Sequence, residues 1–179
     1  MADVISNQKT YTIWKLEWPD ILKGEETDDI ARELLKNLRK VDRREISAFT
    51  GDIAREIHES IDWSYELQYA TAKDGQLIAV WGVQPKRERD KDECGSALIW
   101  CLGTDLVRTY AFSFAKESKR ILQEWGRRYG VLFNMVGTFN KDAIHWLKWL
   151  GAYFDKQGMM VRGGEKFVPF IICYEEGGK

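Results

Sequence analysis

One helix, framed by its own start and stop signals, constrains the fold of this chain most. The segment reads Phe139-Asn140-Lys141-Asp142-Ala143-Ile144-His145-Trp146-Leu147-Lys148-Trp149-Leu150-Gly151. The Asn140 side chain can accept a hydrogen bond from an amide of the first helical turn, and Gly151 can adopt the left-handed conformation that ends a helix. The pattern therefore predicts a capped helix directly after a strand. Taken alone, the segment is equally consistent with an ordinary amphipathic helix of any fold.

The composition indicates one globular domain over residues 1–179. Hydrophobic residues make up 44% of the chain and charged residues 31%, which is typical of a folded protein with a sizeable core. The formal net charge of -1 gives no electrostatic case for nucleic acid as the main partner. The eight Trp residues are spread along the chain. We therefore expect core or pocket-lining positions for most of them rather than one aromatic binding surface.

The three cysteines, Cys94, Cys101 and Cys173, indicate a reducing compartment. They are far apart and odd in number, which fits neither a disulfide framework nor a paired-cysteine metal site. With only two His residues in the chain, no metal is expected. The first residues lack the apolar core of a signal peptide, and no apolar run approaches the roughly 18 residues that span a bilayer.

The first half of the chain predicts a strand followed by two helices. Thr10–Trp18 reads as a strand, and apolar residues at helical spacing predict an amphipathic helix over residues 28–40. The run Asp42–Glu45 has the form of a capping box, in which the Asp42 side chain would cap a second helix. That helix is expected to continue to Ile61, with Gly51 weakening its middle.

The sequence pattern then changes to the alternation of apolar and polar residues that is typical of strands. Residues 65–69 and Gln76–Val83 predict a hairpin around the turn Lys73-Asp74-Gly75. The mixed-charge run Lys86–Glu93 is interpreted as a solvated loop, with a contact site for a partner as the alternative.

The second half predicts buried strands that alternate with helices. Ser96–Leu102 is a continuous apolar run, as in a central strand, and a long helix ending at Gly130 follows it. Val131–Thr138 reads as the next strand, directly before the helix that Asn140 caps. Tyr153–Val161 and Phe167–Tyr174 are expected to close the chain as an antiparallel pair.

This succession resembles the core of the GNAT acetyltransferases, as does the spacing from Asn140 to Gly151. The resemblance implies an α/β fold with a mixed, mostly antiparallel sheet, one splayed strand pair and about four flanking helices. GNAT enzymes transfer an acetyl group from acetyl-CoA to an amine. Helix amides and glycines hold the pyrophosphate, and the splayed strands offer a carbonyl and an amide to the pantetheine arm. The cofactor contacts implied for this chain are Leu102, Gly103, Thr104, Arg108 and Asn140.

The chain departs from the family at the pyrophosphate loop, whose pattern is Gln/Arg–x–x–Gly–x–Gly/Ala. The matching segment, Gly103–Ser113, contains no glycine after its first residue. Tyr110 and Phe112 are bulky where the backbone should approach phosphate, and Asp105 carries the wrong charge. Arg108 could keep one phosphate contact or could be an ordinary surface residue. We therefore predict a degenerate acetyl-CoA site, lost or rebuilt.

The customary catalytic groups of the family are also missing. The tyrosine that serves as general acid falls on Leu147 in this chain. Tyr153 is the candidate substitute, with core packing as the alternative reading. Glu66 and Glu93 are candidate bases by position, although neither differs from a surface carboxylate. His145 is interpreted as a surface or partly buried residue.

A closer resemblance covers residues 65–172. The strings Ile99–Asp105, Asn134, Trp146–Gly151 and Gly163–Phe170 are similar to a GNAT-like family of tailed bacteriophages. Its members are described as internal virion or core proteins, or as proposed acetyltransferases. The Leu-Gly-Thr-Asp motif in place of the glycine loop is a trait of that family.

Two functions follow from these resemblances, and a third is weaker. The first is a structural role in virion assembly or the internal core, with aromatic faces docking other phage virion proteins. The second is an active N-acyltransferase that uses acetyl-CoA to modify a host or phage protein. The third is an unrelated small-molecule binding module. The expected location is the host cytoplasm or the virion, with no membrane segment.

Overall fold

The computed structural model describes residues 3–7, 11–18, 20–85 and 95–174. These residues form two compact units. The first holds residues 1–84 and 100–111, and the second holds residues 85–99 and 112–179. The prediction of one domain over residues 1–179 stays a prediction. The mixed-charge run Lys86–Glu93 lies outside the described residues.

The first unit is built on a run of neighbouring strands. In spatial order they are β1 (Asp3–Asn7), β2 (Tyr11–Glu17), β3 (Glu66–Ala72), β4 (Leu77–Pro85) and the second part of β5 (Ser96–Gly103). The pairs from β1 to β4 are antiparallel. The hairpin of β3 and β4 is confirmed, and Gly75 supplies the positive φ of 84° that its turn requires. Strand β1 was not expected.

The first unit also contains helices. They are a short 3₁₀ helix (Asp20–Lys23), α1 (Glu25–Asn37), α2 (Lys40–Phe49), α3 (Ile53–Asp62) and α4 (Leu106–Thr109). The core between helices and strands is aliphatic, with one tyrosine. Its buried members are Leu16, Ile21, Ile30, Ala31, Leu34, Leu38, Ile46, Ile57, Ile61, Leu67, Tyr69, Leu77 and Val80.

The second predicted helix is wrong in its length, because the chain breaks it into α2 and α3. Gly51 has a positive φ of 73°, a conformation that ends a helix rather than weakening it. Asp52 then caps α3 by accepting a hydrogen bond from the amide of Arg55 at 3.0 Å. The apolar spacing continued across the break because both helices bury a face in the same core.

The second unit combines two helices with the remaining strands. These are α5 (Ala111–Tyr129), β6 (Val131–Gly137), α6 (Lys141–Trp149), β7 (Tyr153–Phe154), β8 (Met160–Arg162) and β9 (Glu165–Cys173). Helix α5 belongs to this unit from residue 112 onward. The start of β5 pairs in parallel with β6, and β6 pairs antiparallel with β9. The predicted strand Tyr153–Val161 is instead two short strands, β7 and β8, which both pair with β9.

Helix α6 has the caps that its sequence predicts. The Asn140 side chain accepts a hydrogen bond from the Ala143 amide at 3.2 Å. At the other end Gly151 has a φ of 89°, and two amides close the last turn: Gly151 donates to the Lys148 carbonyl and Ala152 to the Leu147 carbonyl. This pair of bonds is the Schellman motif. Both ends of α6 are therefore satisfied by its own neighbours in sequence.

Candidate functional site

The end of strand β5 is the part of the first unit where a cofactor was expected. Thr104 is tied to β4: its amide donates to the Ile78 carbonyl at 3.0 Å and its hydroxyl to the Leu77 carbonyl at 2.8 Å. Backbone groups of consecutive strand residues face opposite edges. The amide and carbonyl of Gly103 therefore face away from β4, along the edge that GNAT enzymes offer to the pantetheine arm.

This chain covers that edge with its own residues 38–42, which we call the strap. The Gly103 carbonyl accepts a hydrogen bond from the Arg39 amide at 3.0 Å. The Gly103 amide donates to the Asp42 carboxylate at 3.1 Å. Leu38 and Thr104 form an isolated β-bridge beside these bonds. Both backbone polar groups of Gly103 are thus used within the chain.

The strap is held in place by a charged pair inside it. The Arg39 guanidinium donates two hydrogen bonds to the Asp42 carboxylate, at 2.9 and 2.8 Å. Such a two-point contact fixes the orientation of both side chains. Asp42 is only 2% exposed, and the Arg39 side chain is mostly covered. The carboxylate is therefore committed to these donors rather than to solvent.

The predicted capping role of Asp42 is wrong. Helix α2 begins at Lys40, so Asp42 lies inside its first turn, and the N-cap residue Arg39 makes no side-chain cap. The carboxylate reaches Gly103 instead, 61 residues away in sequence. The local pattern suggested a helix cap, whereas the carboxylate accepts from the neighbouring Arg39 and from the distant Gly103.

The close approach of Val107 and Arg39 explains why residue 103 is glycine. A Cβ at this position would lie 2.6 Å from Cγ2 of Val107 and 3.3 Å from Nε of Arg39. The first contact is shorter than real Cβ contacts allow, and the second leaves little room. In this chain the absence of a side chain at Gly103 makes space for Val107 and Arg39.

Burial raises the pKa of two groups near the strap. It raises the pKa of the Asp42 carboxyl, with the Arg39 guanidinium and the Gly103 amide acting in the opposite direction. Burial also raises the pKa of the Cys101 thiol. A raised pKa lowers the fraction of thiolate at neutral pH, which weakens the half-buried Cys101 as a nucleophile.

The expected cofactor residues divide between the two units. Leu102, Gly103 and Thr104 are consecutive in the first unit, and Arg108 follows on α4 with an exposed side chain. Asn140 belongs to the second unit, where it is buried and caps α6. Their assignment as cofactor ligands stays a prediction. The short helix α4, which separates Gly103 from α5, was not expected.

The catalytic candidates differ sharply in exposure. Tyr153 is 68% exposed at the start of β7, and His145 is exposed on α6. Glu66 is completely buried, where it accepts a hydrogen bond from Gln68 Nε2 at 2.8 Å and pairs with Lys15 Nζ at 3.2 Å. Leu147, at the position of the family's tyrosine, is buried in the second unit. Glu93 lies outside the described residues.

The second unit also contributes a side-chain bond beside strand β5. The parallel ladder of β5 and β6 extends over three residue pairs, the last being Leu98 and Phe133. Beyond it the Asn134 side chain donates to the Ile99 carbonyl at 2.6 Å and accepts from the Met135 amide at 2.7 Å. An amide side chain thus replaces the next rung of the ladder. Sequence reasoning had singled out Asn134 without assigning it this role.

The described residues also bear on a metal site and on a membrane-spanning helix. Among residues 3–7, 11–18, 20–85 and 95–174, no group of three or more His, Cys, Asp or Glu side chains is placed to hold a metal ion. Within the same part of the chain, none of the helices has the length and apolar character needed to cross a membrane.

Solved structures of acetyltransferases share this fold. A structure of the NatC complex bound to Gag peptide and CoA matches with a TM-score of 0.62 and 11% identity, over 91% of this chain and 99% of that chain. A probable acetyltransferase matches with a TM-score of 0.61 and 13% identity, over 96% and 97%. An aminoglycoside N(6')-acetyltransferase from Legionella pneumophila matches with a TM-score of 0.58 and 9% identity, over 94% of each chain.

These likenesses establish the fold class. The chain has a GNAT-like mixed α/β fold with a mostly antiparallel open sheet, as the sequence predicted. No family model matches the chain, and no curated protein matches it in sequence. The chain therefore shares its fold with solved acetyltransferases, and function has to be argued from the site.

Proposed function

We propose that this GNAT-like protein has a degenerate acyl-CoA site and acts in assembly of the virion or internal core of a tailed phage. The observation that carries the proposal is the use of both backbone groups of Gly103 by Arg39 and Asp42. A pantetheine arm that bonded to this residue would have to displace a buried, charge-assisted contact. Displacement would leave the Asp42 carboxylate buried with one donor fewer, which is costly.

The region after Gly103 supports the same proposal. In place of a glycine loop leading into a long helix, the chain forms α4, four residues long, with Asp105 exposed just before it. Helix α5 then begins at Ala111 and presents Phe112, 85% exposed, in its first turn. A phosphate site at a helix start needs free amides and close backbone approach. An exposed phenylalanine in the first turn of α5 opposes close approach, and no glycine lies between Gly103 and Ala111 to permit it.

Calorimetric titration with acetyl-CoA tests the degenerate site. We expect no binding in the micromolar range to the wild-type chain. Arg108→Ala is the matched variant, because Arg108 is the cation best placed in sequence to retain a phosphate contact. Micromolar binding that Arg108→Ala or Asn140→Ala weakens would contradict the proposal. Titration with CoA lacking the acetyl group separates phosphate recognition from recognition of the thioester.

The assembly role is tested in infected cells. Mass spectrometry of purified particles and of assembly intermediates should detect the chain at a fixed number of copies per particle. Its absence from both, at the sensitivity that detects minor virion proteins, would contradict an assembly role. This result is independent of the acetyl-CoA titration.

The alternative is an active N-acyltransferase that modifies a host or phage protein. What favours it is the likeness to acetyltransferases, including one structure that holds CoA and a peptide. In this alternative Arg108 and Asn140 contact the cofactor, and the exposed Tyr153 is the candidate acid. Transfer of labelled acetyl groups to proteins of an infected-cell extract, abolished by Tyr153→Phe, would support it.

A further inference from the structure

The two compact units carry opposite net charge. The first unit holds 17 acidic and 12 basic residues, a net charge of -5, and the second holds 15 basic and 11 acidic residues, a net charge of +4. The near-neutral total therefore hides a surplus of cations in the second unit. The charge of the whole chain gave no electrostatic case for nucleic acid as a partner, whereas the charge of the second unit does.

Cations of the second unit form a stripe along the outer face of α5. The inner face of this helix is marked by its buried residues, which are Glu117, Ser118, Ile121, Leu122, Trp125 and Gly126. Residues three or four positions apart share a face of a helix, and the open face lies opposite the buried side chains. On α5 that open face holds Phe112, Lys116, Lys119, Gln123 and Arg127, which we call the basic stripe.

The basic stripe is open to solvent. The side chains of Lys116, Lys119 and Arg127 are exposed, and Phe112, at the start of the helix, is 85% exposed. Lys116 and Lys119 are three residues apart, which is about 4.5 Å along the helix axis. Like charges at this spacing repel each other and weaken a helix. An anionic partner that bound both ammonium groups would remove this repulsion.

The carboxylates of α5 lie beside the basic stripe rather than on it. Glu117 is buried and accepts a hydrogen bond from Arg120 at 2.9 Å. Glu124 pairs with Arg120 at 3.4 Å and with Arg128 at 3.8 Å. These ion pairs lie on the flank of the helix, and the charged residues of the stripe itself are all cations. The positive charge of the stripe therefore faces solvent.

An indole ring from α6 lies beside the basic stripe. Lys119 Nζ is 5.2 Å from the ring centroid of Trp149, within the range of a cation–π contact. Trp149 is 54% exposed, so the ring has open surface beyond this contact. Asp142, seven residues before Trp149, brings an exposed carboxylate to α6, about 10 Å away along that helix. The stripe thus has one exposed ring at its start, Phe112, and a second beside Lys119.

We propose that the basic stripe, with Trp149 beside it, binds single-stranded nucleic acid. Lysine and arginine side chains neutralise phosphates along a nucleic-acid backbone, and exposed aromatic rings stack on the bases. The stripe offers both kinds of group on one helix face, since its three cations follow Phe112 and one of them touches the indole. The expected binding is independent of base sequence, because phosphates and base faces are common to all nucleotides.

The exposed rings favour single strands over other anionic partners. In a duplex the base faces are stacked on one another, so Phe112 and Trp149 can stack only on unpaired bases. An acidic peptide would bind the cations and leave the rings without a partner. An anionic membrane binds a helix that inserts an apolar face, and the apolar face of α5 is already buried within the protein.

Fluorescence anisotropy with labelled oligonucleotides tests the proposal. The probes are oligothymidylate and oligouridylate of about 20 nucleotides, titrated with the whole chain at about 0.15 M salt. We expect both to bind with a dissociation constant of about 10–100 μM, as is typical of binding without sequence preference. Three phosphate contacts predict that the logarithm of the binding constant falls with the logarithm of salt with a slope of about −2. Absence of binding to both single strands at about 1 mM protein would overturn the inference.

Charge and ring variants separate the two kinds of contact. Lys116→Glu with Lys119→Glu should weaken binding about tenfold or more and make the salt dependence shallower, because phosphate contacts are lost. Phe112→Ala should weaken binding about fivefold or more and leave the salt slope unchanged, because stacking releases no counterion. An unchanged affinity for Phe112→Ala would count against the proposal, since cations alone would then account for binding.

Lys156→Glu with Lys166→Glu is the matched control. It changes the net charge of the chain by the same amount, at two exposed lysines outside the basic stripe. The affinity should stay within about twofold of the wild type, because exposed charges away from the bound strand are screened at this salt. Equal weakening by the control and by the stripe variant would show that net charge governs binding, against the inference. Circular dichroism confirms that each variant is folded.

Competition distinguishes single strands from other polyanions. Unlabelled oligothymidylate should displace the probe about tenfold more effectively than a duplex of the same length, oligoglutamate of equal charge or vesicles containing phosphatidylserine. Equal displacement by any of these three would overturn the preference for unpaired bases. The inference goes beyond the proposed assembly role and does not depend on it. The acetyl-CoA titration and the mass spectrometry of particles report on that role separately.

Discussion

The carboxylate of Asp42 accepts a hydrogen bond from the amide of Gly103 at 3.1 Å and two more from the guanidinium of Arg39. One side chain thus joins the start of α2 to the end of β5. Because the buried carboxylate accepts hydrogen bonds from both elements, its removal should destabilise the start of α2 and the end of β5.

Replacement of Asp42 by alanine should destabilise the protein strongly. The change leaves the Arg39 guanidinium and the Gly103 amide without their acceptor and opens a small cavity, so we expect a loss of about 3 kcal/mol in the free energy of unfolding. Urea denaturation measures it. Asp29→Ala is the control, since that carboxylate also pairs with an arginine at three residues' spacing but is 74% exposed. The control should lose less than about 0.5 kcal/mol.

The stability of the strap should depend on pH in a defined direction. Burial raises the pKa of the Asp42 carboxyl above its ordinary value of 3.8. A carboxyl group whose pKa is higher in the folded state than in the unfolded state stabilises the fold fully at pH values below its unfolded-state pKa. That contribution to the free energy of unfolding is lost as the pH rises through the folded-state pKa. The unfolding free energy of the wild type should therefore fall relative to that of Asp42→Asn over this window. A relative rise with pH would mean that the Arg39 guanidinium outweighs burial.

Replacement of Gly82 by alanine should disturb the packing of Trp100. A Cβ at Gly82 would lie 2.2 Å from the indole ring, whose Nε1 donates to the Ser64 hydroxyl at 3.0 Å. We expect a loss of about 1–3 kcal/mol as the ring is displaced. In a Trp100→Ala background the same change should cost much less. An equal cost in both backgrounds would show that the ring is not the obstacle.

Removal of the Asn140 cap should weaken α6. Asn140→Ala deprives the Ala143 amide of its acceptor, and the expected loss is about 1 kcal/mol in the free energy of unfolding. Asn140→Ser keeps an acceptor at the same position and should cost only a fraction of that. Thermal unfolding of the three proteins gives the comparison, and equal losses from both substitutions would contradict a capping role.

The parts of the fold that sequence predicts are those with local causes. Helix α6 carries its start and stop signals within its own residues, and the hairpin of β3 and β4 carries its turn in Gly75. Gly51 shows where such reasoning fails, because one apolar spacing spans two helices that share a core. The glycine could be tolerated within a helix or could end it, and only its φ of 73° decides between them.

The candidate site was less predictable because its contacts are distant in sequence. Asp42 had a plausible local role in a capping box, and nothing in the neighbouring residues indicates Gly103 as its partner. The absence of glycine between residues 104 and 113 is visible in the sequence, and it marks this region as different from the family pattern. That the edge is covered by residues 38–42 could not be inferred from spacing, because it depends on how α1 and α2 meet the end of β5.

The separation of 61 residues between Asp42 and Gly103 has a consequence for synthesis of the chain. On the ribosome, α1 to α3 and the hairpin emerge before the end of β5 does. Until Gly103 leaves the exit tunnel, the Asp42 carboxylate has only Arg39 and water as partners. The contact between the strap and Gly103 therefore forms only after α2 and α3, which lie on either side of Gly51, are able to fold. This contact can form only when the end of β5, the last strand of the first unit, has been synthesised.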